Sequence, residues 1–287
     1  MFICINLIIF NNDYIINMCG ICCYIGDEPA FTCIFNGLTV LQNRGYDSCG
    51  IATINKTGIN TTKYASTDSQ SALDKITTYS TDHHNNCVGI GHTRWATHGA
   101  KCDKNAHPHS DSKNRVTIVH NGIIENYATL YNNLIKKGYT FTSETDTEVI
   151  ANLIGSFLDE GYDIYNAIEN STKIMTGTWG LALLYVNESD KIFLSKNGSP
   201  LLVGLSTNRR CAYIASEQSA FSNYTNQYFS LNDKQLLILT KNEDNNIYQY
   251  VYSTQQSINF NTNTRLINTI AEYVATTPEP FPHYTII

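Results

Sequence analysis

The chain has 287 residues, long enough for one large domain or two small ones around a sizeable core. Hydrophobic residues make up 42% and charged residues only 15%, which excludes a disordered chain. The net charge is −6 and Lys and Arg are not clustered, which argues against a nucleic-acid or membrane-surface partner.

In chain order, the first ten residues, "MFICINLIIF", are apolar but lack a basic flank and a small-residue cleavage site. The run is also well short of the ~20 residues that span a bilayer. Residues 1–18 therefore read as a leader, a start-site extension or a strand-like arm. Short β-type runs follow at 20–26 ("GICCYIG"), 49–55, 87–93 and 116–122. Helical spacing is predicted over 31–43, 126–138, 143–161 and 163–175. Gly138 suits a helix C-terminus, and Ser143, three residues before Asp146, suits an N-cap. Further strands are predicted at 179–186, 191–196, 211–216 and 235–240. Strands, then helices, then strands again describe an α+β domain with antiparallel sheets rather than a βαβ parallel fold. Residues 257–287 are polar and then carry Pro278, Pro280 and Pro282, the composition of a tail or linker.

Nine cysteines, an odd number, sit at 4, 19, 22, 23, 33, 49, 87, 102 and 211. A disulfide scaffold does not suit a chain of this length, and Cys19-x-x-Cys22 has no second pair at zinc-site spacing. His107-x-His109 lacks a carboxylate at ligand spacing, so no metal and no cofactor is expected. The cysteines suit small buried groups in a reducing, cytoplasmic compartment.

Four segments carry chemistry when taken together: "MCGI" (18–21), "LQNRGYDSCGIA" (41–52), "GHTRWATHG" (91–99) with "NAHPH" (105–109), and "VHNGIIENY" (119–127) with "SETDTEV" (143–149). Singly, each has a plain reading. "RGYDS" is turn chemistry, Asn121-Gly122 is a hairpin signal and "SETDTE" is a helix start.

Jointly, these motifs resemble the glutaminase domain of the glutamine–fructose-6-phosphate aminotransferases, class II amidotransferases of the N-terminal-nucleophile hydrolase superfamily. The match runs from about Cys19 to about residue 240, and "RGYDS", "TRWATHG" and "SETDTE" favour the sugar-aminating branch. Asn43, where the family often has Tyr, and Cys49, where Ala is common, depart from the pattern without touching a catalytic position. The resemblance implies a four-layer αββα sandwich and glutamine hydrolysis through a cysteine thioester. It makes Cys19 the nucleophile, with Asn121 and Gly122 as oxyanion donors. Arg94 would bind the substrate α-carboxylate and Asp146 its α-ammonium. Arg44 would support the cysteine terminus, and Trp95, Thr97 and His98 would lie in a loop closing over glutamine.

An N-terminal cysteine carries a base in its own α-amine, pKa ~7.7–8.0, against a thiol of ~8.5. Residues 1–17 would block that amine, so Met18-Cys19 is the expected start of the active chain. The amidotransferase domain is expected over 19–256, with 257–287 leading towards a missing sugar-phosphate isomerase domain that uses fructose 6-phosphate. The resemblance leaves a homodimer open. The rival readings are a catalytically silent glutamine-binding relic with a blocked Cys19, and the glutaminase domain of the purine-pathway amidotransferase.

Overall fold

The computed structural model describes residues 19–95, 99–252, 256–257 and 265–266. The chain opens with β1 (Gly20–Ile25), α1 (Ala30–Val40), β2 (Ser48–Asn55), β3 (Gly58–Ala65), α2 (Ala72–Thr77) and β4 (Val88–Arg94). The middle holds β5 (His109–Ser110), β6 (Val116–Ile124), α3 (Tyr127–Lys136), α4 (Asp146–Asp159) and α5 (Ile164–Ile174). It closes with β7 (Gly177–Tyr185), β8 (Ile192–Asn197), β9 (Leu202–Leu205), β10 (Ala212–Ala215), β11 (Gln227–Ser230), β12 (Leu236–Lys241), β13 (Ile247–Val251), β14 (Gln256–Ser257) and β15 (Arg265–Leu266).

These strands form two sheets. The first has the order β15-β11-β9-β10-β1-β4-β2-β3 and the second β14-β13-β12-β8-β7-β6-β5. Every strand ladder in both is antiparallel.

The two-residue period of a strand explains how the layers stack. Ile21, Cys23 and Ile25 of β1 face the second sheet and pack with Val119, Ala182, Leu184 and Leu237. Cys22 and Tyr24, the alternate residues, face outward onto Ile34 and Leu38 of α1 and Leu73 of α2. Across the sandwich, Leu181, Leu183 and Phe193 face outward onto Val149, Ile150 and Ile154 of α4 and Ile168 of α5. The result is the four-layer αββα sandwich. Central strands are covered on both faces, which is why they read as continuous apolar runs. Ile150 and Ile154 are fully buried, each worth ~1.5–3 kcal/mol of transfer free energy.

The helix boundaries follow from local chemistry. Asp163 caps α5 by accepting the Asn166 N–H at 2.7 Å. Gly138, with φ +89°, ends α3, and the Tyr139 N–H reaches back to the Leu134 carbonyl at 3.0 Å. The N-cap of α4 is Thr145 and not Ser143: Thr145 Oγ1 accepts the Glu148 N–H, while Ser143 is occupied as a ligand of the Glu148 carboxylate. Asn121-Gly122 is not a hairpin turn but lies inside β6, paired with Gly180 and Trp179 of β7. The second strand of the first hairpin, β3, is an outer strand with a polar, half-exposed pattern, so an apolar-run reading passes over it. Arg265–Leu266, in the stretch read as tail, pairs with β11.

Candidate active site

β1 and β4 pair with Gly20 opposite Thr93. This brings Cys19, just before β1, against Trp95, just after β4. The Trp95 N–H donates to Cys19 Sγ at 3.3 Å, and the thiol lies 3.7 Å from the Trp95 carbonyl oxygen. Gly20 is required here, because a Cβ would press into Thr93 Oγ1 and the Leu41 side chain.

The second sheet supplies the facing wall. Asn121 of β6 reaches across the sandwich, and its Nδ2 donates to the Cys19 carbonyl oxygen at 2.7 Å. Gly122 follows with φ +134°, and a Cβ there would overlap the Thr178 carbonyl oxygen. Asp146 is the first residue of α4, and its Oδ2 accepts the Ile124 N–H at 2.9 Å, which ties the helix start to the end of β6. Arg94 ends β4 and is 5% exposed. Cys19, Arg94, Trp95, Gly122 and Asp146 line one cleft of about 100 Å³.

Six of the residues singled out in the sequence are therefore brought together: Cys19, Arg94, Trp95, Asn121, Gly122 and Asp146. Arg44 ends a 3-10 turn, Leu41–Arg44. Its side chain, and the whole of Thr97 and His98, lie outside the described residues.

Beneath the cleft lies a layer of imidazoles to which sequence reasoning gave no role beyond rejecting a metal. His92 and His107 stack with ring centroids 4.0 Å apart, and His109 meets His107 edge-on at 4.8 Å. Two threonines of the α4 start join them. Thr147 Oγ1 lies 2.8 Å from His107 Nε2 and 3.1 Å from His120 Nδ1, and Thr145 Oγ1 lies 3.1 Å from His109 Nε2. Burial pulls His92 down to about 3 and pulls His107 and His109 well below the usual histidine range. These three rings are neutral at pH 7.

A carboxylate pair shapes the substrate side. Glu148 is buried and accepts bonds from the N–H and hydroxyl groups of Thr142 and Ser143 at 2.6–2.9 Å, which fixes the loop before Asp146. Glu144, at the cleft, accepts from Lys104 at 2.9 Å and Asn105 at 3.1 Å, and these donors hold its carboxyl well below the usual range. Lys63, mostly buried, donates to the Ala106 and Pro108 carbonyls at 2.8 and 2.9 Å and supports the strap carrying His107. Its burial lowers it to about 8.

A family model described as a glutamine amidotransferase domain matches residues 49–268. The glutamine–fructose-6-phosphate aminotransferase (isomerizing) of Thermococcus kodakarensis is 43% identical over 227 residues, covering 78% of this chain and 36% of that one. The chain belongs to the glutamine amidotransferase family. This amidotransferase domain is also 41% identical, over 235 residues, to the enzyme of the same name from Methanococcus maripaludis, covering 79% of this chain and 38% of the relative. It thus spans little more than a third of the length of these curated relatives. Among solved structures, the glutamine phosphoribosylpyrophosphate amidotransferase of B. subtilis superposes with a TM-score of 0.66 at 23% identity, over 81% of this chain and 49% of that one. That likeness shows a shared fold. The purine-pathway alternative has no more than this fold in its support, while the sequence relatives are sugar-aminating enzymes. Among the described residues, no helix of this amidotransferase domain is long and apolar enough to cross a membrane.

Proposed function

We propose that this domain hydrolyses glutamine through a Cys19 thioester and that its ammonia aminates fructose 6-phosphate on a sugar-phosphate isomerase domain. Cys19 Sγ attacks the δ-carbonyl carbon and a tetrahedral oxyanion forms. The Asn121 carboxamide and the Gly122 N–H stabilise it. Collapse expels ammonia after protonation of the leaving nitrogen, and water then cleaves the thioester to glutamate. The base for both steps is the Cys19 α-amine, which requires a chain that begins at Cys19. Arg94 takes the α-carboxylate as a bidentate donor and Asp146 takes the α-ammonium. Trp95, with Thr97 and His98 beyond it, closes over the substrate and excludes water, and Arg44 supports the loop behind the cysteine. A nucleophilic thiol is kept reduced in a cytoplasmic setting, which accords with the cysteine usage.

The observation that carries this reading is the convergence of Cys19, Arg94, Gly122 and Asp146 on one cleft, with the Asn121 amide already hydrogen-bonded at Cys19. The test is irreversible inactivation by an electrophilic glutamine analogue, followed by peptide mass spectrometry. The label is expected on Cys19 and not on Cys22 or Cys23, which are buried with thiols pushed up. A label elsewhere, or glutamine binding without turnover in a chain verified to begin at Cys19, would favour the silent relic.

A further inference from the structure

His92 Nε2 faces two oxygen acceptors: Asn121 Oδ1 at 3.0 Å and the His120 carbonyl at 3.1 Å. A carbonyl oxygen only accepts, so Nε2 carries the proton. Nδ1 is then bare, in keeping with its buried position, where it has no hydrogen-bond partner among the described residues. The His120 carbonyl therefore decides the tautomer of His92. That tautomer in turn decides the orientation of Asn121. An Nε2–H rejects the Asn121 amino group and accepts only its oxygen, so the NH₂ must turn towards Cys19, where Nδ2 meets the Cys19 carbonyl at 2.7 Å. Flipping the carboxamide would set N–H against N–H on one side and oxygen against oxygen on the other. The ring itself cannot turn freely, since it is 0% exposed and stacked on His107.

We infer that His92 is a positioning residue for the glutaminase reaction: its Nε2–H holds the Asn121 carboxamide oxygen, so that the NH₂ is turned towards Cys19, where the reacting carbonyl is to be polarised. The inference rests on the proposed oxyanion role of Asn121. In substrate-free enzyme the amide has a competing partner in the Cys19 carbonyl, so a donor preset by the protein spares reorganisation during reaction. His92 is fully buried and does not line the cleft, so it acts through Asn121.

The test uses the full-length enzyme with its N-terminus verified by mass spectrometry. Loss of one oxyanion donor costs ~10²–10³ in kcat, and loss of its orienting partner is expected to cost about 10- to 100-fold. His92→Phe should lower kcat by that factor while leaving KM for glutamine and the Kd for glutamate within about threefold, because the groups binding the substrate's ends are untouched. His92→Gln, whose amide nitrogen reaches the Nε2 position, should recover most of the rate. His92→Asn, whose nitrogen stops near Nδ1, should not. The double variant His92→Phe/Asn121→Ala should be no slower than Asn121→Ala. Multiplied losses in that double variant, or full activity in His92→Asn, would overturn the positioning role. Full activity in Asn121→Ala would instead sink the oxyanion reading beneath it. Should the variants fail to fold, nitrogen-15 spectra of the wild-type histidines still decide the matter: at pH 7 His92 must be the neutral Nε2–H tautomer, and an Nδ1–H form would refute the inference.

Discussion

On the proposed reading, replacing Asp146 by Asn should separate substrate binding from chemistry. The carboxylate has two duties, since Oδ2 accepts the Ile124 N–H at 2.9 Å and the side chain also lines the cleft with Cys19. Asn can keep its oxygen on Ile124, which then turns its NH₂ towards the substrate ammonium. Truncating one side of a buried, hydrogen-bonded charge pair costs about 2–5 kcal/mol. The Asp146 side chain is 24% exposed, so solvent screening selects the lower part of that range, ~2–3 kcal/mol. At ~1.4 kcal/mol per decade this is a roughly 30- to 150-fold rise in KM for glutamine. The ammonium is present in ground and transition states alike, so kcat should fall by no more than about threefold. The assay is glutamate release against glutamine concentration, with a thermal melt to show that the Ile124 bond survives. An unchanged KM would remove Asp146 from the substrate site.

Cys19→Ala should abolish glutamate release while preserving glutamate binding by calorimetry, and turnover within about tenfold of wild type would place the nucleophile elsewhere. A chain processed to begin at Cys19 should exceed the same protein carrying residues 1–17 by ~10²–10⁴-fold, the usual worth of a general base, and equal rates with the extension shown to be attached would eliminate the α-amine. Gly122→Ala should lower the melting temperature as well as the rate, since φ of +134° strains any L side chain and its Cβ would overlap the Thr178 carbonyl; a wild-type melt would contradict this geometry. Stability should fall as pH drops below ~6.5, because unfolded histidines bind protons there while His92, His107 and His109 remain neutral in the fold. Each contributes up to ~1.4 kcal/mol per pH unit, and for His92 the loss levels off near its folded pKa of about 3. Equal denaturation midpoints at pH 7.5 and 5.0 would show that these rings are charged or exposed.

Central strands and long helices were legible because burial on both faces writes long apolar runs into β1, β4, β6 and β7, and one-sided burial writes a 3.6 period into α3 and α5, while α4, buried all round from Thr147 to Ser156, reads from its length and its capping residues. β3 escaped because an outer strand carries polar residues on its open side, and α2 because six residues hold too few turns to show a period. The start of α4 was misread by two residues. Four candidate caps stand in "SETDT", and only the tertiary demand of Glu148 for donors takes Ser143 out of contention. Within the site, reactive groups could be matched to motifs, but the imidazole layer could not. His92, His107, His109 and His120 lie up to 28 positions apart, and nothing local shows that they converge on Thr145, Thr147 and Asn121.

The bond from Ile124 N–H to Asp146 makes β6 a measuring rod. Asn121 and Gly122, at one mark, address the amide end of the substrate on the proposed reading. Asp146, pinned two residues further along the same strand, addresses the amino end. A strand advances ~3.3 Å per residue and barely stretches, so the interval between the marks is a constant of the backbone, indifferent to side-chain motion. On the same proposed reading, asparagine, shorter by one methylene, should engage one mark or the other but not both. Discrimination between the two amino acids would then arise as a difference in length, with no group on the protein needed to repel the wrong one.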